Sequence, residues 1–255
     1  MAWGGRQPRG ASDGSRAHRA PRRRPPSDHD RPVNVLGIDT STPASAVCVL
    51  RADGEEYEVV PSLAELTGPP GHARELMPRV AEVIERSGLS YDELDAVAVG
   101  VGPGSFTGLR IGIATARALA SAAGIEVRPV SSLHALAEGI DAPVRAPLID
   151  ARRGELFAAI VGPKGTLAEP FVAPPEQVAE RIRSVDPTAL AAGDGSLRFR
   201  GLFEAAGVRV ADGGSSAHVV RALHVCRLAS GVRPVAPEAV VPNYLRAPDA
   251  RPAST

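Results

Sequence analysis

The residues with the clearest chemical signature lie in the run GPGSFTGLRIG, which spans positions 102–112. Its glycines allow close backbone approach to a ligand, and the first amides of the helix that follows favour a bound anion. The candidates for contacting phosphate here are Gly102, Gly104, Ser105 and Gly108. A P-loop has Lys and then Ser or Thr after its last glycine, whereas Leu and Arg stand at those positions here. The run therefore predicts the geometry of a phosphate site without its cation.

Polar residues also follow two apolar strands. Asp39, Thr40 and Ser41 come after VNVLGI, and Asp150 comes after APLI with Arg152 and Arg153 close behind. In a nucleotide cleft, two such hairpin tips would hold phosphate and magnesium. The plainer interpretation is an Asx turn that only shapes the hairpin, and it is favoured for Asp39. The arginines beside Asp150 either meet phosphate or lie in solvent.

The other reactive side chains form no catalytic set. His72 stands three residues before Glu75, but HxxxH and HExxH are both absent, so a structural or interface role is favoured over metal binding. Ser105 lacks the GxSxG context of a nucleophile elbow.

The elements that position these residues alternate between strand and helix patterns. The first part of the chain predicts strands at 33–39, 44–50, 55–60 and 94–101 and helices at 72–87 and 107–123. The second part predicts a strand at 127–130, a helix from 131, a second hairpin at 146–161, a helix at 176–184, a strand at 190–192 and a helix at 216–230.

Both early helices carry a stripe that could meet a partner. The first stripe is apolar and the second consists of small residues, which permit close helix packing. The candidate interface residues are His72, Leu76, Met77, Val80, Ile84, Arg110, Gly112, Ala116 and Ala120. The alternative is that both stripes cover the chain's own sheet, in which case Met77 and Arg110 decide whether a partner binds.

Composition limits the protein class. Residues 1–32 carry eight Arg and three Asp with few large apolar side chains, a composition that predicts a disordered extension. The rest is mildly acidic, which disfavours direct gripping of RNA by this chain alone. We expect a cytoplasmic location with no membrane span and two buried thiols.

Several motifs, in order, are similar to one family. They are GIDTST, HARELMP, AVAVGVGPGSFTGLRIG, PVSSLHALA, IDARRGEL and the closing YLR. On these the chain resembles the TsaB family of the bacterial tRNA threonylcarbamoyladenosine machinery. The resemblance implies an α/β actin-like (RNase H-like) fold of two lobes, at 33–132 and 133–246, with a disordered tail at 247–255.

The resemblance also implies a role. Such a subunit supports transfer of threonylcarbamoyl to N6 of adenosine 37 in tRNAs that read ANN codons, and the paralogue TsaD carries out the transfer. Where TsaD has its metal histidines, this sequence has Ser132 and Leu136, so no catalysis and no cofactor are expected here. ATP and metal are expected on partner subunits. The implied partners are TsaD through the two early helices, the ATPase TsaE, tRNA through the complex, and a second copy of the chain when it is alone.

Two hypotheses of another class stay open. One is an active actin-like ATPase or small-molecule kinase that uses Asp39, Asp150 and the turn at 102–108. The other is a metallopeptidase, which would require bound zinc or iron.

Overall fold

Two five-stranded sheets are built on the same plan in the computed structural model, which describes Met1 and residues 33–246. The first sheet has the order β3-β2-β1-β4-β5, in which β1 pairs antiparallel with β2 and parallel with β4. Its strands are β1 (Val35–Asp39), β2 (Ala46–Leu50), β3 (Glu56–Val59), β4 (Ala96–Gly100) and β5 (Glu126–Val130).

The second sheet repeats this plan with the order β10-β9-β6-β7-β8. A hairpin, β6–β7, again lies within the sheet. Strand β9 pairs in parallel with β6, and β10 pairs in parallel with β9. The strands are β6 (Arg145–Arg152), β7 (Glu155–Gly162), β8 (Gly165–Ala173), β9 (Leu190–Ala192) and β10 (Arg209–Val210). The second hairpin, predicted at 146–161, is observed as β6 and β7.

Eight α-helices connect and cover the sheets within the described residues. Serine side chains cap the start of three of them, because Ser62 Oγ accepts from Glu65 N, Ser105 Oγ from Gly108 N and Ser131 Oγ from His134 N. The helices are α1 (Leu63–Thr67), α2 (His72–Ser87), α3 (Phe106–Ala123), α4 (Ser132–Glu138), α5 (Pro175–Val185), α6 (Asp194–Arg198), α7 (Arg200–Ala205) and α8 (Ala222–Ala229).

The elements stack in five layers. Alternate residues of each strand face opposite sides of a sheet, so Leu36 and Ile38 face α2 and α3 while Val35 faces inward. Helices α5 and α7 cover the outer face of the second sheet. Helices α4 and α8 lie between the sheets and pack on each other, and they share a core with Ile149 and Phe157.

The C-terminal part differs from the prediction in two ways. The helix predicted at 216–230 is broken, since Arg221 is extended at φ −94° and ψ 133° and α8 begins only afterwards. The break lies where Glu58 of β3 meets the chain. Its carboxylate pairs with Arg221 and accepts a hydrogen bond from Leu223 N at 3.1 Å, so it caps the start of α8. Helix α8 packs on the first sheet, although residues 133–246 were expected to form the second lobe.

Candidate functional site

The tip of the first hairpin is sealed inside the protein. Asp39 is only 1% exposed, and Thr40 and Ser41 are buried as completely. One carboxylate oxygen of Asp39 accepts from Ser41 N at 2.8 Å and Ser41 Oγ at 2.6 Å, and the other accepts from Ser132 Oγ at 2.7 Å. Burial raises the pKa of Asp39 above its usual value, and these hydrogen bonds oppose that rise. Asp39 thus forms the Asx turn that the plainer interpretation favoured.

The glycine turn before α3 packs on this same tip. Ser105 N donates to Ser41 O at 2.7 Å, and Thr40 Oγ1 donates to Gly108 O at 2.8 Å. A Cβ at Gly104 would lie 2.4 Å from Ser41 O, and one at Gly108 would lie 2.1 Å from Thr40 O. A side chain at either position would collide with the hairpin, so these two glycines serve an internal contact. The interpretation of this turn as a vestigial phosphate site stays a prediction.

Gly102 also contacts the chain itself. It has φ of 104°, and a Cβ there would lie 2.9 Å from Leu109 Cδ1 and 3.3 Å from Asn243 O. Its amide donates to Ser132 Oγ at 3.2 Å. The turn is therefore fixed from both sides by buried protein atoms.

Positions 132 and 136 offer no metal ligand. Ser132 Oγ is hydrogen-bonded to Asp39, and Leu136 lies in the core between the sheets. Across residues 33–246, no group of three or more His, Cys, Asp or Glu side chains is placed to hold a metal ion.

His72 lies inside the fold and not on a partner surface. It is 3% exposed, its Nδ1 is 2.8 Å from Ser45 Oγ, and its buried Nε2 has no hydrogen-bond partner among the described residues. Burial lowers the pKa of His72 below its usual value. The predicted interface role of this residue is therefore wrong, and its structural role is observed.

The second hairpin tip has the same turn but a more open setting. Asp150 Oδ1 accepts from Arg152 N at 2.9 Å, as Asp39 does from Ser41 N. Asp150 Oδ2 pairs with Arg198 at 2.7 Å and with Arg152 at 3.3 Å. Asp194 accepts from Asp150 N at 3.0 Å, and burial raises the pKa of Asp194 to about 6.

A cavity of about 470 Å³ lies between this second tip, the start of α3 and the end of the described chain. Its walls include Ser105, Asp150, Arg152 and Arg153, but no residue of the first hairpin tip. Asp39 and Asp150 are thus not brought together on one cavity. The structure separates the two halves of the predicted phosphate site.

The inner faces of α2 and α3 cover the first sheet. Most of the predicted interface residues are buried in the chain's own core, and they are Leu76, Val80, Ile84, Gly112, Ala116 and Ala120. The stripes were correctly recognised, but they pack inward because each faces apolar strand residues such as Leu36 and Val97. Met77, at 47% exposure, and Arg110 remain on the outer face. Exposed small residues join them there, namely Ala73, Ala81, Ala114 and Ala118.

Sequence reasoning missed the role of residues 240–246, which we call the closing segment. Tyr244 packs on Phe106 with ring centroids 5.3 Å apart, and Arg110 Nε donates to Tyr244 OH at 3.2 Å. Arg246 pairs with Glu155 on β7 at 2.6 Å. The YLR motif was the one signal of this segment, but nothing in the sequence indicates which residues it contacts.

The sequence of this chain is similar to those of known proteins. Residues 56–178 match the family described as TsaD: tRNA N6-adenosine threonylcarbamoyltransferase. The Escherichia coli tRNA threonylcarbamoyladenosine biosynthesis protein TsaB is 32% identical over 228 residues, which cover 84% of this chain and 95% of that protein. The chain belongs to the TsaB family. The Bacillus subtilis TsaB is 29% identical over 227 residues, covering 86% of this chain and 96% of the relative.

A solved structure also matches this TsaB-family chain. It is a Pseudomonas aeruginosa protein described as similar to the peptidase YeaZ, with 30% identity and a TM-score of 0.69. The match covers 84% of this chain and all of that one. With the two repeated sheets, it confirms the predicted two-lobed actin-like fold. None of the helices in the described residues is long and apolar enough to span a bilayer.

Proposed function

We propose that this TsaB-family chain is a non-catalytic subunit of the machinery that installs threonylcarbamoyl on N6 of adenosine 37 in tRNAs reading ANN codons. The observation that carries the proposal is the sealed first hairpin. Both carboxylate oxygens of Asp39 already accept hydrogen bonds from serines of the chain, and the residue is almost fully buried. A substrate phosphate or a magnesium ion would have to displace these contacts.

The names of the relatives support the pathway. The Escherichia coli and Bacillus subtilis proteins are both described as tRNA threonylcarbamoyladenosine biosynthesis proteins. The match to the TsaD family over residues 56–178 supports descent from the same ancestor as the catalytic subunit. In this proposal ATP and metal are bound by partner subunits, and this chain supplies contact surface to TsaD.

The outer face of α2 and α3 is the surface that we assign to TsaD. Met77 is an exposed apolar side chain on it, and Ala81 and Ala114 would let a facing helix approach closely. When TsaD is absent, the same face would pair two copies of this chain. TsaE and tRNA would then join the assembled pair.

Co-expression with the TsaD of the same organism tests this assignment. We expect the two chains to co-elute from a size-exclusion column, and the double variant Ala81→Glu/Ala114→Glu to elute apart, since it places two carboxylates in an apolar contact. Ala205→Glu, at an exposed alanine of α7, is the matched control and should co-elute. Co-elution of the double variant would refute the surface, and separate elution of the parent chains would refute TsaD binding.

The alternative function, an actin-like ATPase or kinase, makes the opposite prediction for the isolated chain. Under our proposal, calorimetry with Mg-ATP shows no micromolar binding and the purified chain has no turnover. Micromolar binding together with turnover would favour the alternative. Stoichiometric zinc or iron in the purified protein would instead favour the peptidase hypothesis.

A further inference from the structure

The cavity between the lobes has the size of a small-molecule site. Its volume of about 470 Å³ falls in the usual range for ligand pockets. Phe157 and three segments that are distant in sequence form its walls, the segments being Gly104–Thr107, Asp150–Arg153 and Asn243–Arg246. Because the walls come from both lobes and the closing segment, the space exists only in the assembled fold.

Most of the wall surface is apolar, and much of it is aromatic. Phe106, Phe157 and Tyr244 line the cavity together with Leu245 and Ala151. Phe106 is 40% exposed, with the Arg110 guanidinium over its ring, and Tyr244 is half-buried. Aromatic walls favour a flat apolar group, which can stack or pack edge-to-face on them.

The charged part of the wall is mainly cationic. Among the described residues, Arg152, Arg153 and Arg246 line the cavity, and Asp150 is the one carboxylate residue that does so. Asp150 is 8% exposed and pairs more closely with Arg198 than with Arg152. Arg246 is paired with Glu155, but a guanidinium has five N–H donors and can bind a second anion. The cavity thus combines an apolar floor with more arginine side chains than carboxylates. Arginine N–H groups suit a carboxylate or phosphate of a ligand.

We propose that this cleft binds a small organic anion with a flat apolar body. Its carboxylate or phosphate would contact Arg152 and Arg153 directly, without a bridging metal, and its ring would pack on Phe106 and Tyr244. Such a site is distinct from an actin-type nucleotide site, because the first hairpin tip does not reach the cavity. It also goes beyond the proposed role as a contact subunit, since it gives this chain a ligand of its own.

Ligand-observed NMR on the full chain tests the proposal with three simple probes in EDTA. Phenyl phosphate and phenylacetate carry a ring and an anion, and inorganic phosphate carries the anion alone. We expect the tighter of the two ring anions to bind at least about tenfold more tightly than inorganic phosphate, because the ring is removed from water. Adding magnesium should leave its affinity unchanged. Failure of both ring anions to bind at millimolar concentration, or affinity no better than that of phosphate, would overturn the proposal.

Substitutions then locate the site. The double variant Arg152→Gln/Arg153→Gln should weaken the ring anion by about tenfold or more, since two charge-assisted contacts are lost. The control Arg117→Gln/Arg183→Gln removes two exposed arginines away from the cavity and should bind like the parent. Tyr244→Leu should weaken the ring anion but not inorganic phosphate. Equal affinity in the parent and the Arg152/Arg153 variant would place any binding elsewhere and refute the assignment.

Discussion

Arg152 and Arg153 adopt left-handed backbone conformations, with φ of 62° and 55°. This conformation is less stable by roughly 1–2 kcal/mol for a residue with a Cβ, and glycine or asparagine adopts it more readily. Arg153 and Gly154 form the turn between β6 and β7, where an Asn-Gly pair is the usual choice. The turn therefore keeps an arginine at a position where asparagine would be more stable.

Replacing Arg153 by Asn tests this strain. We expect Arg153→Asn to raise the free energy of unfolding by about 0.5–1 kcal/mol, because asparagine tolerates positive φ. Gly154→Ala is the opposite control and should lower the free energy of unfolding by about 1 kcal/mol. Apart from its chain neighbours, no atom of the described residues would lie within 4 Å of the added methyl carbon, so only the backbone conformation resists it. Thermal unfolding measures both. A melting temperature of Arg153→Asn at or below that of the parent would argue against stored strain.

Asp194 makes stability depend on pH. Its pKa is raised to about 6 in the folded chain, so its contribution is present below about pH 4 and is lost as pH rises through 6. We expect the parent to lose about 2 kcal/mol relative to Asp194→Asn between pH 4 and pH 7, since the asparagine does not ionise. Urea unfolding of both proteins at several pH values measures the difference. Parallel pH profiles would contradict the assignment to Asp194.

Among the elements, the first hairpin and the start of α3 are in close backbone contact. The turn that resembles a phosphate site is shaped by Thr40 and Ser41, which press against Gly104 and Gly108. Sequence alone could not separate this from a ligand site, because both demand glycine for close approach. The packing of the hairpin tip on the turn distinguishes an internal contact from a ligand site, and the sequence does not contain it.

Gly108→Ala tests that contact. Its methyl carbon would lie 2.1 Å from Thr40 O, so we expect the free energy of unfolding to fall by about 2 kcal/mol or more. Gly201→Ala on α7 is the control. Apart from its chain neighbours, no atom of the described residues would lie within 4 Å of the added methyl carbon, and alanine is more stable than glycine in a helix by about 1 kcal/mol. Denaturant unfolding should therefore move in opposite directions for the two variants. A Gly108→Ala protein as stable as the parent would mean that the hairpin can retreat from the turn.

At the scale of the whole molecule, local patterns predicted most elements but not their partners. The alternation of apolar residues gave the strands of both hairpins, and helical spacing gave α2 with its observed ends at His72 and Ser87. Strand β8 and the short helices α6 and α7 escaped prediction because each has few residues or a weak period. The broken helix near Arg221 depends on Glu58, which lies 163 residues earlier, and no local pattern contains such a contact.

The site was predicted less well than the fold. Residue types identified both hairpin tips and the glycine turn, yet the burial of Asp39 and the inward stripes of α2 and α3 are properties of packing. The cavity between the lobes needs Tyr244 and Arg246 to lie against Phe106 and Glu155. Those pairings join residues more than 90 positions apart, so they follow from the assembled chain.

The position of α8 between the sheets predicts that the first lobe cannot fold alone. In a fragment of residues 33–140, the inner face of the first sheet, with Cys48 and Ala98, would be left in water without α8. We expect this fragment to lack a cooperative thermal transition and near-ultraviolet dichroism, whereas residues 33–246 show both. A cooperatively folded fragment would show that α8 is dispensable to the first sheet.

The same position has a consequence for synthesis. While the polypeptide leaves the ribosome, all five strands of the first sheet emerge almost a hundred residues before the helix that covers their inner side. The nascent chain would therefore carry an uncovered apolar surface until α8 has been made, unlike proteins whose early domain closes first. We expect chaperone occupancy of the nascent and newly released chain to fall only once α8 has packed on the first sheet.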